Sequence, residues 1–306
     1  MTSHRIFFDA MASRCEVRLN VADEPNARGL AQLAIDEVRR IEAKYSRYRP
    51  DSVVSQISAQ AGRGWVECDE ETCALLDFAD QLFAKSAGLF DITSGVLRSV
   101  WNFRQPALPT AEALRDVCRL IGWRSVQRAG QRIYLPQVGM ELDFGGFGKE
   151  YAADRAAQVL MAQGVRHGYV NLAGDIHVMG PQADGQGREE AQGQPWLIGI
   201  QDPRHAGKLS ATIPIASGAL ATSGDYERFF ELDGQRYCHI LHPKNGQPVS
   251  HWRSVSVLAP SAIVAGSYAT VAMLKEEQGR GFLEDSGLAY LGIDALGAVH
   301  RKDGVA

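Results

Sequence analysis

Residues 142–151 read Leu142-Asp143-Phe144-Gly145-Gly146-Phe147-Gly148-Lys149-Glu150-Tyr151. A strand-like apolar run enters three closely spaced glycines, after which Tyr151, Ala152, Arg155, Val159 and Leu160 recur at helical spacing. Glycines let a backbone approach a ligand closely, and the free amides and dipole of a helix start favour an anion there. Lys149 would add a full positive charge. The same spacing also describes a tight strand-to-helix turn with a solvated lysine, and spacing alone does not separate the two. A Walker P-loop would need glycine at Asp143 and a hydroxyl residue at Glu150, and no Gly-x-Gly-x-x-Gly marks a strand-to-helix junction, so neither familiar nucleotide loop is supported.

Outward from this turn, helices and strands alternate without regular crossovers. Cys15, Val17, Leu19 and Val21 alternate with polar residues as a half-buried strand does. Leu30, Leu33, Ala34, Val38, Ile41 and Tyr45 follow at helical spacing. Asp69-Glu70-Glu71 opens a second helix that Gly88 ends, and Thr110 caps a third running through Leu120. Strands are expected at Arg132 to Leu135, Met140 to Phe144, Tyr169 to Leu172, Trp196 to Ile200, Ala211 to Ile215, Tyr237 to Leu241 and Ser254 to Leu258, with a further helix from about Ser261 to Leu274. Runs of strands with few crossovers indicate an α+β arrangement. Strand pattern resumes on both sides of Pro181 to Pro195, so that piece reads as an exposed loop and residues 1–306 as one domain.

Composition narrows the function. A hydrophobic fraction of 45% and a charged fraction of 22% are those of a globular chain, and a net charge of -4 offers no broad positive field for a nucleic-acid backbone. The five cysteines are scattered without a Cys-x-x-Cys pair and are expected to be free thiols. No run reaches the ~18 apolar residues of a membrane span. The first residues lack a secretory signal, which gives a cytoplasmic expectation, or a periplasmic one if Met1 is not the natural start.

Two further clusters bear chemistry. Thr222-Ser223-Gly224-Asp225-Tyr226-Glu227-Arg228 carries a hydroxyl pair before a glycine, suited to phosphate or ribose and equally to a satisfied turn. His239 and His242 lie three apart in a strand entering a Pro-x-x-Gly turn, which sends their side chains different ways. One histidine acting alone, as base or hydrogen-bond donor, fits better than paired metal ligands. Ala265-Gly266-Ser267-Tyr268-Ala269-Thr270 reads, on physics alone, as a helix-packing seam.

In order along the chain, these pieces resemble the ApbE family of FAD:protein FMN transferases. The resemblance runs from Met11 through Ser46-Arg47-Tyr48-Arg49-Pro50-Asp51-Ser52, Gly88-Leu89-Phe90-Asp91-Ile92-Thr93-Ser94-Gly95 and the glycine turn. It continues through Asn171-Leu172-Ala173-Gly174-Asp175-Ile176, Ser223 to Arg228 and His239-Ile240-Leu241-His242-Pro243-Lys244-Asn245-Gly246, to Thr270. It implies a T-fold-like α+β fold in which antiparallel sheets with packed helices form two intertwined lobes, with FAD between them. The flavin-binding residues it implies are Met11, Tyr48, Leu89, Phe90, Asp91, Asp143, Lys149 and Ile240. His239 is the candidate base for the incoming hydroxyl, and Lys149, also a catalytic candidate, would with the turn amides hold the ligand's anionic parts. Magnesium would be held by the Gly146 carbonyl and Thr270. The implied acceptor is a flavoprotein bearing a Ser/Thr-Gly-Ala-Thr-like motif.

The resemblance also has departures. The late helix of family members usually reads Ala-Asp-Ala-Leu-Ala-Thr, which puts Gly266 where a metal-binding acid is expected. Glu150 stands where a glycine commonly follows the lysine, Ser58 where many members carry asparagine, and Met11-Ala12-Ser13 replaces Met-Gly-Thr. Loss of an anionic oxygen should weaken a hard-cation site. The sequence therefore leaves open an FAD-binding accessory protein without catalysis, and an FAD pyrophosphatase giving FMN and AMP.

Overall fold

Between Ala10 and Ser13 the chain reverses in two residues, Met11 (φ 51°) and Ala12 (φ 56°), the left-handed pair that a tight hairpin demands. This turn joins β1 (Thr2–Ala10) to β2 (Ser13–Val21) in a computed structural model that describes residues 1–183 and 193–303. Helix α1 (Glu24–Tyr45) follows, its first turn capped by Asp23, which accepts from Asn26 N at 2.9 Å. Next come α2 (Val53–Ala59) and β3 (Val66–Glu67), then α3 (Glu70–Lys85), capped by Asp69 and ended before Gly88, whose φ is 83°. Thr110 caps α4 (Ala111–Cys118) as expected. Strand β5 (Arg132–Tyr134) pairs with β3 on one side and with β4 (Gln127–Ala129) on the other in a small separate sheet.

Helix α5 (Gly148–Ala162) leads to the hairpin β6 (Gly168–Leu172) and β7 (Asp175–Gly180). A second hairpin, β8 (Trp196–Gln201) and β9 (Leu209–Ile215), precedes β10 (Gly218–Gly224), and β11 (Phe229–Leu232) pairs with β12 (Gln235–Cys238). The chain closes through β13 (Trp252–Ala259), α6 (Ala262–Leu274), α7 (Gly279–Ser286), β14 (Ala289–Asp294) and β15 (Val299–Lys302).

Eight strands form one antiparallel sheet in the order β1-β2-β6-β7-β10-β13-β14-β15. Its two four-stranded halves are built alike: α1 and α5 lie in sequence between the hairpins of the first, and α6 and α7 between β13 and β14 of the second. Alternation along each strand separates two cores. Val170, Leu172, Ala219, Ala221, Val255 and Val257 face the helices, whereas Tyr169, Ile176, Val178 and Leu220 pack against Trp196, Ile198, Ile200 and Ile215 of the β8–β9 hairpin. Helices on one face of an antiparallel sheet make an α+β fold, as the sequence indicated.

One expected strand is absent. Met140 to Phe144 is extended but joins no ladder, because Leu142 N–H donates to Ser58 Oγ (3.0 Å) and Asp143 N–H to the Ile92 carbonyl (2.8 Å). Its backbone is satisfied by a side chain and a loop instead of a neighbouring strand. The expected strand at Tyr237 to Leu241 ends at Cys238. Of the expected loop at Pro181 to Pro195, residues 184–192 lie outside the described residues. Among the described residues all five cysteines are free, and no helix is long and apolar enough to cross a membrane.

Candidate functional site

The glycine turn is held from below by aromatic packing. Phe147, fully buried, contacts Phe144 (ring centroids 5.1 Å apart), Phe78 (5.6 Å) and Phe90 (6.1 Å), and Phe144 meets Tyr45 (5.3 Å). Burying one such ring contributes about 1.5–3 kcal/mol, so the turn is anchored well beyond what its glycines would give alone. Gly146 lets Phe90 come close: a Cβ there would stand 2.8 Å from the Phe90 ring. Above this base no side chain caps α5, whose first turn carries Lys149 and Glu150. An open helix start beside a lysine is a physical anion site.

Charged side chains gather around it. Lys149 Nζ bonds Asp175 Oδ2 at 2.9 Å, and Asp175 is buried. Burial pulls the Lys149 ammonium down, but Asp175 and Glu150 outweigh it and hold the group above its ordinary value. Burial also raises Asp175, although the adjacent Lys149 ammonium opposes that rise. The excess negative charge falls on Glu150, which burial and then Asp175 push well above the carboxylate range. Lys149 is therefore not a free cation, and its charge toward a ligand is shared with Asp175.

Arg47 pairs with Asp143, whose other oxygen accepts from Gly145 N–H at 2.8 Å. Gly95 makes room for that aspartate, since a Cβ at 95 would lie 2.6 Å from Asp143 Cβ. Tyr48 is exposed, and its hydroxyl accepts from Arg47 at 3.0 Å. His239 follows β12, and its backbone N–H donates to the Arg228 carbonyl at 3.0 Å. The residue is half-buried, and its Nδ1 is enclosed and has no partner. Burial, then the charges of Arg228, Lys149 and Arg47, push its pKa down to about 4, leaving a neutral ring at pH 7. His242 N–H donates to the Gln247 carbonyl at 2.8 Å, and its Nδ1 accepts from Lys244 N–H at 3.3 Å.

The remaining candidates are spread around this cluster. Met11 sits in the hairpin turn, its N–H bonded to Glu42 Oε1 at 2.8 Å. Asp91 is consumed internally: Oδ1 accepts from Thr93 N and Oγ1 (2.8 and 2.6 Å), and Oδ2 accepts from Trp123 N (3.1 Å). That carboxylate shapes the loop, and Phe90 of the same run is buried against Phe147. Ile240 is buried directly after His239. Thr270 Oγ1 lies 2.8 Å from Ser223 Oγ, while Thr222 of the hydroxyl pair turns to Ser256 (2.7 Å). Arg47, Asp175 and Arg228 were not foreseen as individual site residues. Their motifs were visible, but only the fold brings the charges of Arg47 and Arg228 to His239 and that of Asp175 to Lys149.

Gly266 has a steric cause. A Cβ there would meet Glu150 Oε1 at 2.3 Å, Cγ at 2.6 Å and Cδ at 2.8 Å. The Glu150 carboxylate thus fills the space beside α6 that a side chain at 266 would enter. Among the described residues, no group of three or more His, Cys, Asp or Glu converges as a metal site, so any cation here relies on hydroxyl and carbonyl oxygens as well. Asp154 has a separate task, accepting from Ala262 N (2.7 Å) and Ile263 N (2.9 Å) to cap α6 while bonding His177 at 2.6 Å.

Fold and cluster together define an α+β protein that can hold an anionic ligand at an uncapped helix start, ringed by arginines, a lysine and a neutral histidine. The ApbE family model matches residues 11–291, and the chain belongs to that family. It is 34% identical over 298 residues to an FAD:protein FMN transferase of Treponema pallidum, spanning 92% of this chain and 80% of that one. Its identity to the FAD:protein FMN transferase of Salmonella typhimurium is 29%, spanning 85% and 71%. Among solved structures, the ApbE protein of Thermotoga maritima superimposes with a TM-score of 0.89 at 29% identity, covering 99% of this chain and 97% of that one. Flavinyl transferase ApbE of Pseudomonas stutzeri, in apo form, gives 0.85 at 28%, covering 99% and 95%.

Proposed function

We propose that this protein is an FAD:protein FMN transferase, which moves FMN from FAD onto a threonine of an acceptor flavoprotein carrying a Ser/Thr-Gly-Ala-Thr-like motif. The acceptor hydroxyl oxygen bonds to the FMN-side phosphorus of FAD. The bond from that phosphorus to the bridging oxygen breaks, and AMP leaves with it. The hydroxyl proton goes to a base and then to the departing phosphate.

His239 is the residue for that proton. Its ring is neutral at pH 7 and its Nδ1 is unpartnered, so it can accept without first losing a proton. The cations that depress its pKa are those an anionic diphosphate would offset, and bound FAD should make the imidazole more basic. Lys149, Arg47 and the open amides of α5 hold the diphosphate, where preorganised donors stabilise charge as it develops. Tyr48, Leu89, Phe90, Met11 and Ile240 are assigned to the flavin, with Asp143 fixed by Arg47 at its edge. The Gly146 carbonyl and the Thr270 hydroxyl are oxygen donors suited to Mg2+, which when bound would neutralise charge on the diphosphate.

The observation that carries this reading is a neutral, unpartnered His239 under the combined charge of Arg228, Lys149 and Arg47, in a chain of this family. A loss of catalysis with the acid at 266 is not favoured, because a carboxylate is present beside that position. AMP release from FAD with Mg2+ tests the reading. Transfer requires AMP to appear only when the threonine-bearing acceptor is present, whereas AMP appearing equally without acceptor would make the protein a pyrophosphatase.

A further inference from the structure

The seam between α5 and α6 contains an unexplained carboxylate. Glu150 is buried, its Oε2 has no hydrogen-bond partner, and its Oε1 occupies the position that forbids any side chain at 266. Leaving a buried polar atom unsatisfied is costly, so an unpartnered oxygen in such a seam calls for a group that completes it. Neighbouring charges indicate what that is. Two acidic side chains, Glu150 and Asp175, are buried here, and the one ammonium, Lys149, pairs with Asp175. Thr270 follows Gly266 by one helical turn on the same face of α6, and its hydroxyl is placed by Ser223. Ser267 Oγ, also buried, likewise lacks a partner. A seam lined by carboxyl and hydroxyl oxygens suits a hard divalent cation, which would displace any proton on Glu150.

We propose that Glu150 is the carboxylate ligand of the divalent cation in this chain, transposed across the α5–α6 seam from position 266. Gly266 is then a consequence of the transposition, since only glycine admits the Glu150 side chain. The inference rests on the flavin-transfer reading for the identity of the site, so FAD binding is measured separately.

The experiment is titration of Mn2+ into the FAD-loaded protein, followed by calorimetry and by the Mn2+ electron paramagnetic resonance signal. FAD affinity in metal-free buffer and thermal melting are recorded on every variant. Wild type should take up one Mn2+ per chain. Glu150→Gln should weaken that binding by at least about tenfold, the lower end of what even an outer-shell change costs a metal site. The double variant Glu150→Ala with Gly266→Asp returns a carboxylate from the α6 side and should regain most of the affinity. A purely packing role for Glu150 would not produce that recovery. Wild-type Mn2+ affinity in Glu150→Gln, no recovery in the folded double variant, or no Mn2+ uptake by the FAD-loaded wild type overturns the proposal. A chain that fails to bind FAD at all refutes the flavin reading instead.

Discussion

Replacing Gly266 with alanine should lower stability, against the usual behaviour of a helix interior. In a helix with free space, Gly→Ala gains about 1 kcal/mol from backbone entropy and propensity. Here the new Cβ would stand 2.3–2.8 Å from three Glu150 side-chain atoms, and Glu150 is wedged between packed helices. Overpacking of that kind costs about 1–3 kcal/mol, which offsets the propensity gain and leaves a net loss of up to about 2 kcal/mol. In a Glu150→Ala background the obstruction is gone, and the same substitution should stabilise by about 1 kcal/mol. The cycle of four proteins, unfolded in denaturant and compared by midpoint at constant slope, should therefore give a coupling of about 1–3 kcal/mol. A Gly266→Ala effect that is equal in both backgrounds would refute the contact between Glu150 and the α6 backbone, and with it the steric explanation of Gly266.

Ala12 adopts φ 56° in the β1–β2 turn, where glycine carries no steric penalty, so Ala12→Gly should raise stability by about 1 kcal/mol, read as a higher melting temperature. Asp154→Ala removes two charge-assisted caps from α6 and the partner of His177, and should cost about 3 kcal/mol, with faster hydrogen exchange in the first turn of α6. The His239 pKa is depressed in the folded state, so its contribution to stability is complete above the unfolded value near 6.5 and is lost as pH falls toward about 4. That interval corresponds to about 3 kcal/mol, and His239→Gln should lose correspondingly less stability than wild type between pH 7 and pH 4.

The helices were legible because their signals are local. Asp69 and Thr110 announce helix starts, and the apolar rows of α1 and α3 repeat at the period that buries them. Strands with cooperative causes were harder. β1 is an edge strand that alternates in burial from His4 to Ala10, but Phe7 stands on its exposed face between Ile6 and Phe8 and masks that alternation in the sequence. β10 is Gly-Ala-Leu-Ala-Thr-Ser-Gly, a sequence of small residues with weak strand preference, held extended by β7 and β13 on its two sides. Met140 to Phe144 misled in the opposite sense, since its apolar residues are buried but its donors go to Ser58 and Ile92.

Site residues divide along the same line. Gly146, Lys149, His239 and Thr270 stand in contiguous motifs, whereas the Arg47–Asp143 and Lys149–Asp175 pairs join residues 96 and 26 positions apart. Gly266 could be read in sequence only as an absent ligand. That Glu150, 116 positions earlier, fills its space is a fact of packing between α5 and α6.

Transfer of FMN to protein is tested most directly by the intact mass of a threonine-bearing acceptor fragment after incubation with this protein, FAD and Mg2+. The acceptor should gain the mass of FMN less one water, and the same fragment with that threonine changed to alanine should gain nothing. An unmodified acceptor in the presence of demonstrably bound FAD and Mg2+ would contradict the account.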